Sequence, residues 1–278
     1  MRAVTIALRL VSPGSRPRPF LKWAGGKQAL ARRLIECFPA TFAGYYEPFL
    51  GGGSVFFELA PTRAVLGDGN EWLIDTYEAL HDDWRAVARE LDGMVNTREE
   101  YLRLREIAPE TLSPIVRAAH FIYLNKTCFR GLFRVNRKGR FNVPYGAYQR
   151  RYYDADELRD AAEALRGAEF RRGDFELNLD GVSAGDFVYF DPPYYKLGGY
   201  SDFNRYTSAQ FREGDHTRLA ALCRELDARG VRWALSNSDT PFVRTLYAGF
   251  RMFDVEARRE INLKSVRRSV NEVLITNG

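Results

Sequence analysis

The residues best suited to chemistry are the tetrapeptide Asp191-Pro192-Pro193-Tyr194, which follows the apolar run Phe187–Phe190. That run predicts a buried strand, and ligand sites of open α/β sheets lie at the carboxyl ends of strands. Two prolines alone would indicate only a rigid strand end, because they lack an N–H donor. An Asp carboxylate and a proline-locked carbonyl, however, can each accept one N–H of a base amine and direct its nitrogen at an electrophilic methyl group. The Tyr ring offers a stacking face for a base swung out of a duplex.

A second candidate is the glycine-rich loop after the predicted strand Tyr45–Leu50. Three glycines starting at Gly51 precede Ser54, which we expect to cap a helix over 55–60. Glycines there let the backbone approach a ligand closely, and the helix presents its N–H groups. Asp68 lies 17 residues after Gly51, near the spacing at which an acid accepts hydrogen bonds from ribose hydroxyls. The pattern favours a nucleoside-containing cofactor over a simple tight turn, without distinguishing NAD, FAD and S-adenosylmethionine.

The segment from Lys126 to Tyr153 carries eight cations, seven aromatic residues and no acid. The formal net charge of the whole chain is +5, so the other 250 residues carry −3. A run of charge is most often a solvated surface. The absence of acids, the predominance of arginine and the interleaved rings favour a surface that binds a polyanion such as a nucleic acid.

The elements that must position these residues alternate between strands and helices, as in an α/β fold. The predicted helices cover 28–38, 55–60, roughly 71–117, 154–166 and 216–229, and the predicted strands cover 45–50, 64–66, 168–171, 187–190, 231–236, 251–255 and 273–276. This order predicts a sheet domain split by a mostly helical insertion. We place the sheet domain at 20–72 and 165–278, the insertion at 73–164, and a flexible arm at 1–19.

The composition is typical of a globular protein, with 45% hydrophobic and 28% charged residues. The length of 278 residues fits one large domain or one domain with an insertion. Cys37, Cys128 and Cys223 lie far apart, so neither a disulfide framework nor a metal site is expected. No apolar run approaches the roughly 20 residues of a membrane span, and Arg9 interrupts the apolar N-terminal stretch. We therefore expect a cytoplasmic protein with no membrane partner.

Six motifs, taken in order, are similar to those of the Dam-like DNA adenine-N6 methyltransferases. They are FLKWAGGK (20–27), EPFLGGGSVFF (47–57), GDGN (67–70), LNKTCFRGLFRVNRKGRFNVPYG (124–146), GDF (173–175) and DPPY (191–194). The resemblance implies a Rossmann-like class I methyltransferase sheet, mostly parallel and seven-stranded, with a helical target-recognition insertion. It also implies S-adenosylmethionine as methyl donor (leaving S-adenosylhomocysteine), no metal, double-stranded DNA as partner, and N6 of adenine as the methylated atom.

The resemblance assigns roles to individual residues. The implied catalytic residues are Asp191, Pro192, Pro193 and Tyr194. The residues implied to contact the cofactor are Trp23, Ala24, Gly25, Lys27, Glu47, Phe49, Gly51, Gly53, Ser54, Asp68, Asn70, Asp174, Phe175 and Asp191. Within that set, Trp23 and Lys27 match contacts to the methionine end, Asp68 matches the ribose-binding acid, and Asp174 and Phe175 match residues that flank the adenine.

For DNA, the resemblance implies Phe129 as an aromatic wedge beside the flipped base and Arg134 as a reader of guanine. An Arg fork on guanine O6 and N7 is the commonest specific base contact. The alternative for Arg134 is a phosphate contact or a partner within the insertion. Arg130 is also expected to contact DNA, although related enzymes often have Asn at its position. Arg137 and Lys138, beside a turn, are expected to contact phosphates.

Several alternatives stay open at this point. The stretch YKLGGYSDFNRY (195–206) replaces the PLS-type stretch of the GATC methylases, so the recognition sequence, GATC-type or other, is undetermined. The rival functions are a methylase of RNA or of a protein amide, and a DNA-binding module with a decayed cofactor site. The acid-free basic segment disfavours the protein amide, and the intact motifs disfavour decay. A dehydrogenase is disfavoured because the loop is not GxGxxG. We expect a monomer or a weak dimer on DNA, and a separately acting restriction endonuclease is compatible with the sequence.

Overall fold

The structure is a computed structural model that describes residues 17–136, 139–195, 211–256 and 271–278. A seven-stranded sheet lies at its centre, in the order β3-β2-β1-β4-β5-β7-β6. The strands are β1 (Tyr45–Glu47), β2 (Ala64–Asp68), β3 (Ala168–Arg172), β4 (Phe187–Phe190), β5 (Arg232–Ser238), β6 (Arg251–Glu256) and β7 (Asn271–Thr276). The helices are α1 (Ala31–Ile35), α2 (Ser54–Leu59), α3 (Glu71–Asp92), α4 (Arg98–Arg105), α5 (Pro114–Thr127), α6 (Ala155–Leu165), α7 (Glu213–Ala228) and α8 (Pro241–Leu246).

The sheet is mostly parallel. β1 pairs in parallel with β2 and β4, β2 with β3, and β4 with β5, whereas β7 runs antiparallel to both β5 and β6. The carboxyl ends of β1, β2, β4 and β5 therefore meet at one edge, which the amino end of β7 also reaches. This confirms the expected α/β sheet of Rossmann-like type, and that edge is where such sheets bind ligands.

Each face of the sheet is covered by helices, and the side chains of β4 alternate between the two faces. Phe187 and Tyr189 lie in the core shared with α1, α2, α3, α5 and α6, whereas Val188 and Phe190 lie in the core shared with α7 and α8. All four side chains are buried. The residues that follow β4 therefore start from a strand that is fixed on both faces.

The helices between β2 and β3 extend the first of these cores. α5 and α6 both pack along α3, and their apolar side chains join one cluster with those of β1 and β4. The helical pattern predicted from 71 to 117 is interrupted twice, because Thr97 caps α4 by accepting the N–H of Glu100 and Pro114 begins α5. Asp154 caps α6 as predicted, by accepting the N–H of Asp156.

A short N-terminal strap, defined here as residues 20–27, joins the sheet to α5. The backbone N–H of Lys22 donates to Oδ1 of Asn125 at 2.9 Å, and Nδ2 of Asn125 donates to the Lys22 carbonyl at 2.8 Å. Trp23 stacks on Phe133 with 5.5 Å between the ring centroids. Asn125 is fully buried, so water does not compete for these two hydrogen bonds.

Some predicted boundaries near the glycine-rich loop are wrong. β1 ends at Glu47 rather than at 50, because Pro48 cannot donate to a ladder. Gly53, with φ of 67°, occupies the N-cap of α2 that was assigned to Ser54. α1 is shorter than the predicted helix over 28–38, and α8 was not predicted, although Thr240 before a proline is a recognised start signal.

Candidate active site

Five segments bring polar side chains to the carboxyl edge of the sheet. They are the glycine-rich loop after β1, Asp68 at the end of β2, the tetrapeptide after β4, Asn237 and Ser238 at the end of β5, and Glu272 at the start of β7. The sequence predicted the first three. The last two were missed for different reasons. The contact between Asn237 and Tyr195 joins residues 42 positions apart, and nothing in the sequence around Glu272 shows that β7 enters the sheet in the opposite direction.

Asp191 forms an ion pair with Lys27 from the strap, with Nζ at 2.8 Å from Oδ1. Lys27 is 5% exposed, and its ammonium also donates to the carbonyl of Gly25 at 2.8 Å. Burial raises the pKa of Asp191, the Lys27 charge opposes that rise, and Glu272 adds to it. The Lys27 charge therefore favours the carboxylate form of Asp191 in a site where burial favours its protonation.

The tetrapeptide itself is held rigidly. Pro192 is buried and Pro193 half-buried. The Tyr194 hydroxyl donates to Oε2 of Glu272 at 2.9 Å, and the Lys27 ammonium lies 4.6 Å from the centre of the Tyr194 ring. Burial raises the pKa of Tyr194 well above its usual value, so the hydroxyl stays a donor.

The residue after the tetrapeptide is clamped by the end of β5. The N–H of Tyr195 donates to Oδ1 of Asn237 at 3.1 Å, and the Ser238 hydroxyl donates to the Tyr195 carbonyl at 2.6 Å. Both β5 side chains are buried. The backbone that carries Asp191 and Tyr194 is thus fixed at its far end as well as at β4.

Asp68 holds the glycine-rich loop in place. Oδ2 accepts the N–H of Gly51 at 2.9 Å, Oδ1 accepts the N–H of Asn70 at 2.8 Å, and the Tyr77 hydroxyl donates to the Gly51 carbonyl at 3.1 Å. Burial raises the pKa of Asp68 to about 6, against the two backbone N–H groups, which lower it. A Cβ on Gly51 would lie 2.7 Å from Cδ1 of Trp23, so only glycine fits there.

The donors and acceptors beside this loop fit the ribose of a nucleoside. A carboxylate offers about four lone pairs, and Asp68 uses two of them for backbone N–H groups. The Asn70 amide caps α3 through Oδ1, while its buried Nδ2 has no partner within the described residues. A pair of ribose hydroxyls would use the remaining lone pairs of Asp68 and supply an acceptor for that N–H.

The other predicted cofactor contacts lie around this loop. Glu47 is 2% exposed and accepts a hydrogen bond from the Tyr45 hydroxyl at 2.7 Å. Burial raises the pKa of Glu47 to about 8, so its carboxyl is mostly protonated at neutral pH. Ala24 and Ser54 are half-buried, and Gly25 is exposed.

Phe175, which was predicted beside the adenine, contacts two other aromatic rings. Phe49 stacks on Phe175 with 5.4 Å between ring centroids, and Phe211 meets both at 5.6 and 6.0 Å. A base inserted between two rings needs about 7 Å between their centroids, twice the usual carbon contact distance. These three rings are closer than that, so an adenine would lie beside them rather than between them. Asp174 pairs with Arg218 at 2.6 Å, and that guanidinium lies 4.5 Å from the centre of the Phe175 ring. No motif in the sequence pointed to Arg218.

The predicted DNA residues lie at the end of α5 and just after it. Phe129 is 44% exposed, and the guanidinium of Arg130 lies 5.1 Å from the centre of its ring. Arg130 has a φ of 60°, in the left-handed region that non-glycine residues rarely adopt. Arg134 is half-buried and donates from Nε to Oδ1 of Asn142 at 2.8 Å. Arg137 and Lys138 lie outside the described residues.

Three further cations form a cluster that we name the basic cluster: Lys22, Lys126 and Arg150. Lys22 and Arg150 each lie 5.1 Å from the centre of the Tyr148 ring. Burial lowers the pKa of Lys126, and Lys22 and Arg150 lower it further against the opposing effect of Glu157. Like charges that lower one another's pKa favour a site that an anion completes.

Two absences hold for the part of the chain that the structure describes. No group of three or more His, Cys, Asp or Glu side chains is arranged to hold a metal ion there. In the same residues, no helix combines the length and the apolar character that crossing a bilayer requires.

Comparison with known proteins places the chain among DNA-modifying enzymes. Residues 23–261 match the model of the D12 class N6 adenine-specific DNA methyltransferase family. The chain is 38% identical to the type II methyltransferase M1.LlaDCHI of Lactococcus lactis subsp. cremoris, over 94% of this chain and 95% of that protein. It is also 38% identical to the type II methyltransferase M.MjaIII of Methanocaldococcus jannaschii, over 94% and 99% of the two chains. A DNA adenine methylase of Serratia marcescens is 38% identical over 92% of this chain and 97% of its own length.

The family match and the geometry at the sheet edge point to one activity. Residue 191 begins the tetrapeptide at the carboxyl end of a central strand, and the family model spans both this tetrapeptide and the glycine-rich loop. The chain therefore belongs to the D12 class of N6 adenine-specific DNA methyltransferases, and it is an enzyme that methylates adenine in DNA.

Proposed function

We propose that this enzyme uses S-adenosylmethionine to methylate N6 of one adenine within a short site in double-stranded DNA, with Asp191 to Tyr194 holding the target base. One observation carries the proposal. The Asp191 carboxylate, paired with Lys27 at 2.8 Å, lies at the same sheet edge as the loop that Asp68 holds. An acceptor for an amine and a candidate nucleoside site thus share one cleft edge.

Asp191 would accept one N–H of the adenine amine, and the carbonyl in the rigid Asp-Pro-Pro turn would accept the other. These two contacts fix the amine plane and stabilise the positive charge that develops on nitrogen. S-adenosylmethionine, when bound, supplies the electrophilic methyl group. Lys27 opposes the effect of burial on the pKa of Asp191 and so favours the ionised carboxylate that this role uses.

The cofactor would bind across the strap and the glycine-rich loop. Asp68 and Asn70 fit its ribose by the donor and acceptor count given above. Lys27 would also contact the cofactor. Its ammonium has three donors, and the contacts to Asp191 and Gly25 use two of them. The third donor suits the carboxylate at the methionine end.

The DNA would bind the face that carries Phe129 and the basic cluster, with residues 73–164 serving as the target-recognition part. The three clustered cations suit the phosphate backbone, because contacts with phosphates supply much of the affinity in such complexes. Phe129 is exposed enough to enter a base stack. Arg134, which Asn142 holds through its Nε, would read a guanine.

The cellular setting is also part of the proposal. We propose a cytoplasmic, DNA-associated enzyme that acts as a monomer, or as a weak dimer on DNA. Two relatives are type II methyltransferases, so the proposal includes as a partner a restriction endonuclease that acts separately on the same site.

The test is to incubate the purified protein and S-adenosylmethionine with duplex DNA of random sequence and then map modified bases. The expected product is N6-methyladenine at one short sequence. Methylation scattered over all adenines would contradict site specificity. Modification of RNA or of protein amides, with duplex DNA left unmodified, would overturn the proposal.

A further inference from the structure

The Tyr194 ring is oriented by groups outside the tetrapeptide. Its hydroxyl donates to Oε2 of Glu272 at 2.9 Å, and the Lys27 ammonium lies 4.6 Å from the ring centre. The next residue, Tyr195, is clamped by Asn237 and Ser238. Backbone, ring face and hydroxyl are thus each held by a different element of the fold.

Glu272 reaches this position because of the topology of the sheet. β7 is antiparallel, so its amino end lies beside the carboxyl end of β5. Glu272 pairs in register with Ser238 on β5 and with Val255 on β6, and its side chain is 8% exposed. Two neighbouring strands therefore fix the backbone from which the carboxylate extends.

The electrostatics of Glu272 argue against a purely stabilising role. Its carboxylate adds a second negative charge beside Asp191, while Lys27 is the cation paired there. Buried ionic groups are often replaceable by apolar residues without loss of stability. A carboxylate that acts against the ionisation of a neighbouring catalytic acid needs another explanation, and its contact with the Tyr194 hydroxyl supplies one.

We propose that Glu272 is a positioning residue for methyl transfer, which holds the Tyr194 hydroxyl so that the ring keeps its face toward the target adenine. The inference rests on the role of Tyr194 in the proposed function. Glu272 itself touches neither the base nor the cofactor in this account. Losing it would leave the ring free to rotate, so the effect belongs to the methyl-transfer step rather than to binding.

The test compares single-turnover methylation rates and dissociation constants for four variants: Glu272→Ala, Glu272→Gln, Tyr194→Phe, and the double variant Glu272→Ala/Tyr194→Phe. We expect Glu272→Ala and Tyr194→Phe each to lower the rate about 10- to 100-fold, as for loss of a hydrogen bond to a charged group. The affinities for DNA and S-adenosylmethionine should not change. The double variant should be no slower than the slower single variant, because both changes remove the same contact.

Conservative and control variants separate positioning from stability. Glu272→Gln should keep most of the rate, because its amide oxygen can accept the same hydrogen bond. Thr276→Val, on the same strand, removes a buried hydroxyl that donates to the Trp233 carbonyl, away from Tyr194. It should lower the melting temperature without lowering the rate.

The outcomes distinguish this inference from the proposed function. If the wild-type enzyme forms N6-methyladenine and Asp191→Ala abolishes it, the proposed function stands, whatever the Glu272 variants do. A full rate in Glu272→Ala, or rate losses that multiply in the double variant, would overturn the positioning role. If Glu272→Ala does not fold, the near-isosteric variants Glu272→Gln and Tyr194→Phe decide. Full activity of Tyr194→Phe would overturn the positioning role. A loss of rate in Glu272→Gln as large as that in Tyr194→Phe would overturn it too.

Discussion

The sheet edge and the basic cluster treat charge in opposite ways. At the sheet edge, Lys27 pairs with Asp191, Glu272 accepts from Tyr194, and each carboxylate has a bonded partner. In the basic cluster, Lys22 and Arg150 face the same aromatic ring, and the described residues give neither of them an ion pair. A pre-bonded network can orient a small amine without reorganising, whereas an uncompensated cluster gains its counter-charge from a partner. Changes at the first should slow the reaction, and changes at the second should weaken DNA binding.

Asp191→Ala should have the greatest effect of these variants, and the effect should fall on the rate of methyl transfer. If it fell on DNA binding instead, the contrast between the sheet edge and the basic cluster would be wrong. Loss of one preorganised electrostatic contact costs about 10² to 10³ in rate. DNA affinity, which we propose the basic cluster supplies, should stay near that of the wild type. Single-turnover methylation and a DNA-binding titration measure the two effects. Asp254→Asn, an exposed carboxylate on the edge strand β6, is the matched control; near-normal turnover in Asp191→Ala would refute the assignment.

The next largest effect concerns the cofactor side of the same edge. Asp68→Ala should weaken S-adenosylmethionine binding about 10- to 150-fold, because a hydrogen bond to a charged group is worth about 1.5–3 kcal/mol. The loop also loses the acceptor for the Gly51 N–H, so the melting temperature should fall. Asp68→Asn keeps one acceptor oxygen, so its affinity for S-adenosylmethionine should lie between those of the wild type and Asp68→Ala. Calorimetry showing unchanged affinity would mean that Asp68 serves only the turn.

Arg134→Ala tests whether one residue of the proposed DNA-binding surface reads a base, in contrast to the basic cluster, which is proposed to bind phosphates. A guanine-reading fork discriminates by about 1–3 kcal/mol, so the variant should accept substitutions at one position of the target. Methylation of the cognate site and of singly substituted sites, at matched salt, measures this. An equal loss on every site would assign Arg134 to a phosphate, or to support of the insertion through Asn142.

The smallest effect is expected for one cation of the basic cluster. Arg150→Gln should weaken binding to all DNA sequences alike and reduce the slope of log affinity against log salt by about one unit. Cofactor affinity should not change. Arg251→Gln, an exposed cation on β6, is the control and should leave the slope unaltered. If Arg150→Gln changed specificity but not the slope, the phosphate role would be wrong.

Much of the fold was predictable because its signals are local. The apolar run before Asp191, the glycines after β1 and the acid at the end of β2 each lie next to the element they mark, and the sheet confirms that arrangement. Glu272 and Asn237 could not be found in this way, because their contacts depend on the direction of β7 and on pairing across more than 40 residues. One signal was overlooked: Glu272 is a lone acid directly before the apolar run Val273–Ile275. The wrong cap at Ser54 shows the limit of composition rules where a glycine already adopts a positive φ.

The reciprocal hydrogen bonds between Lys22 and Asn125 bear on how such enzymes could be recombined. They join the strap to α5. The segment that carries Lys27 and the helix that leads to Phe129 are therefore held together as one unit, although they are distant in the sequence. A chimaera that exchanged 73–164 alone would take α5 from one enzyme and the strap from the other. A buried amide would then lack its hydrogen-bond partner. Grafting a foreign recognition module onto this scaffold should therefore carry the donor's counterpart of residues 20–27 with it.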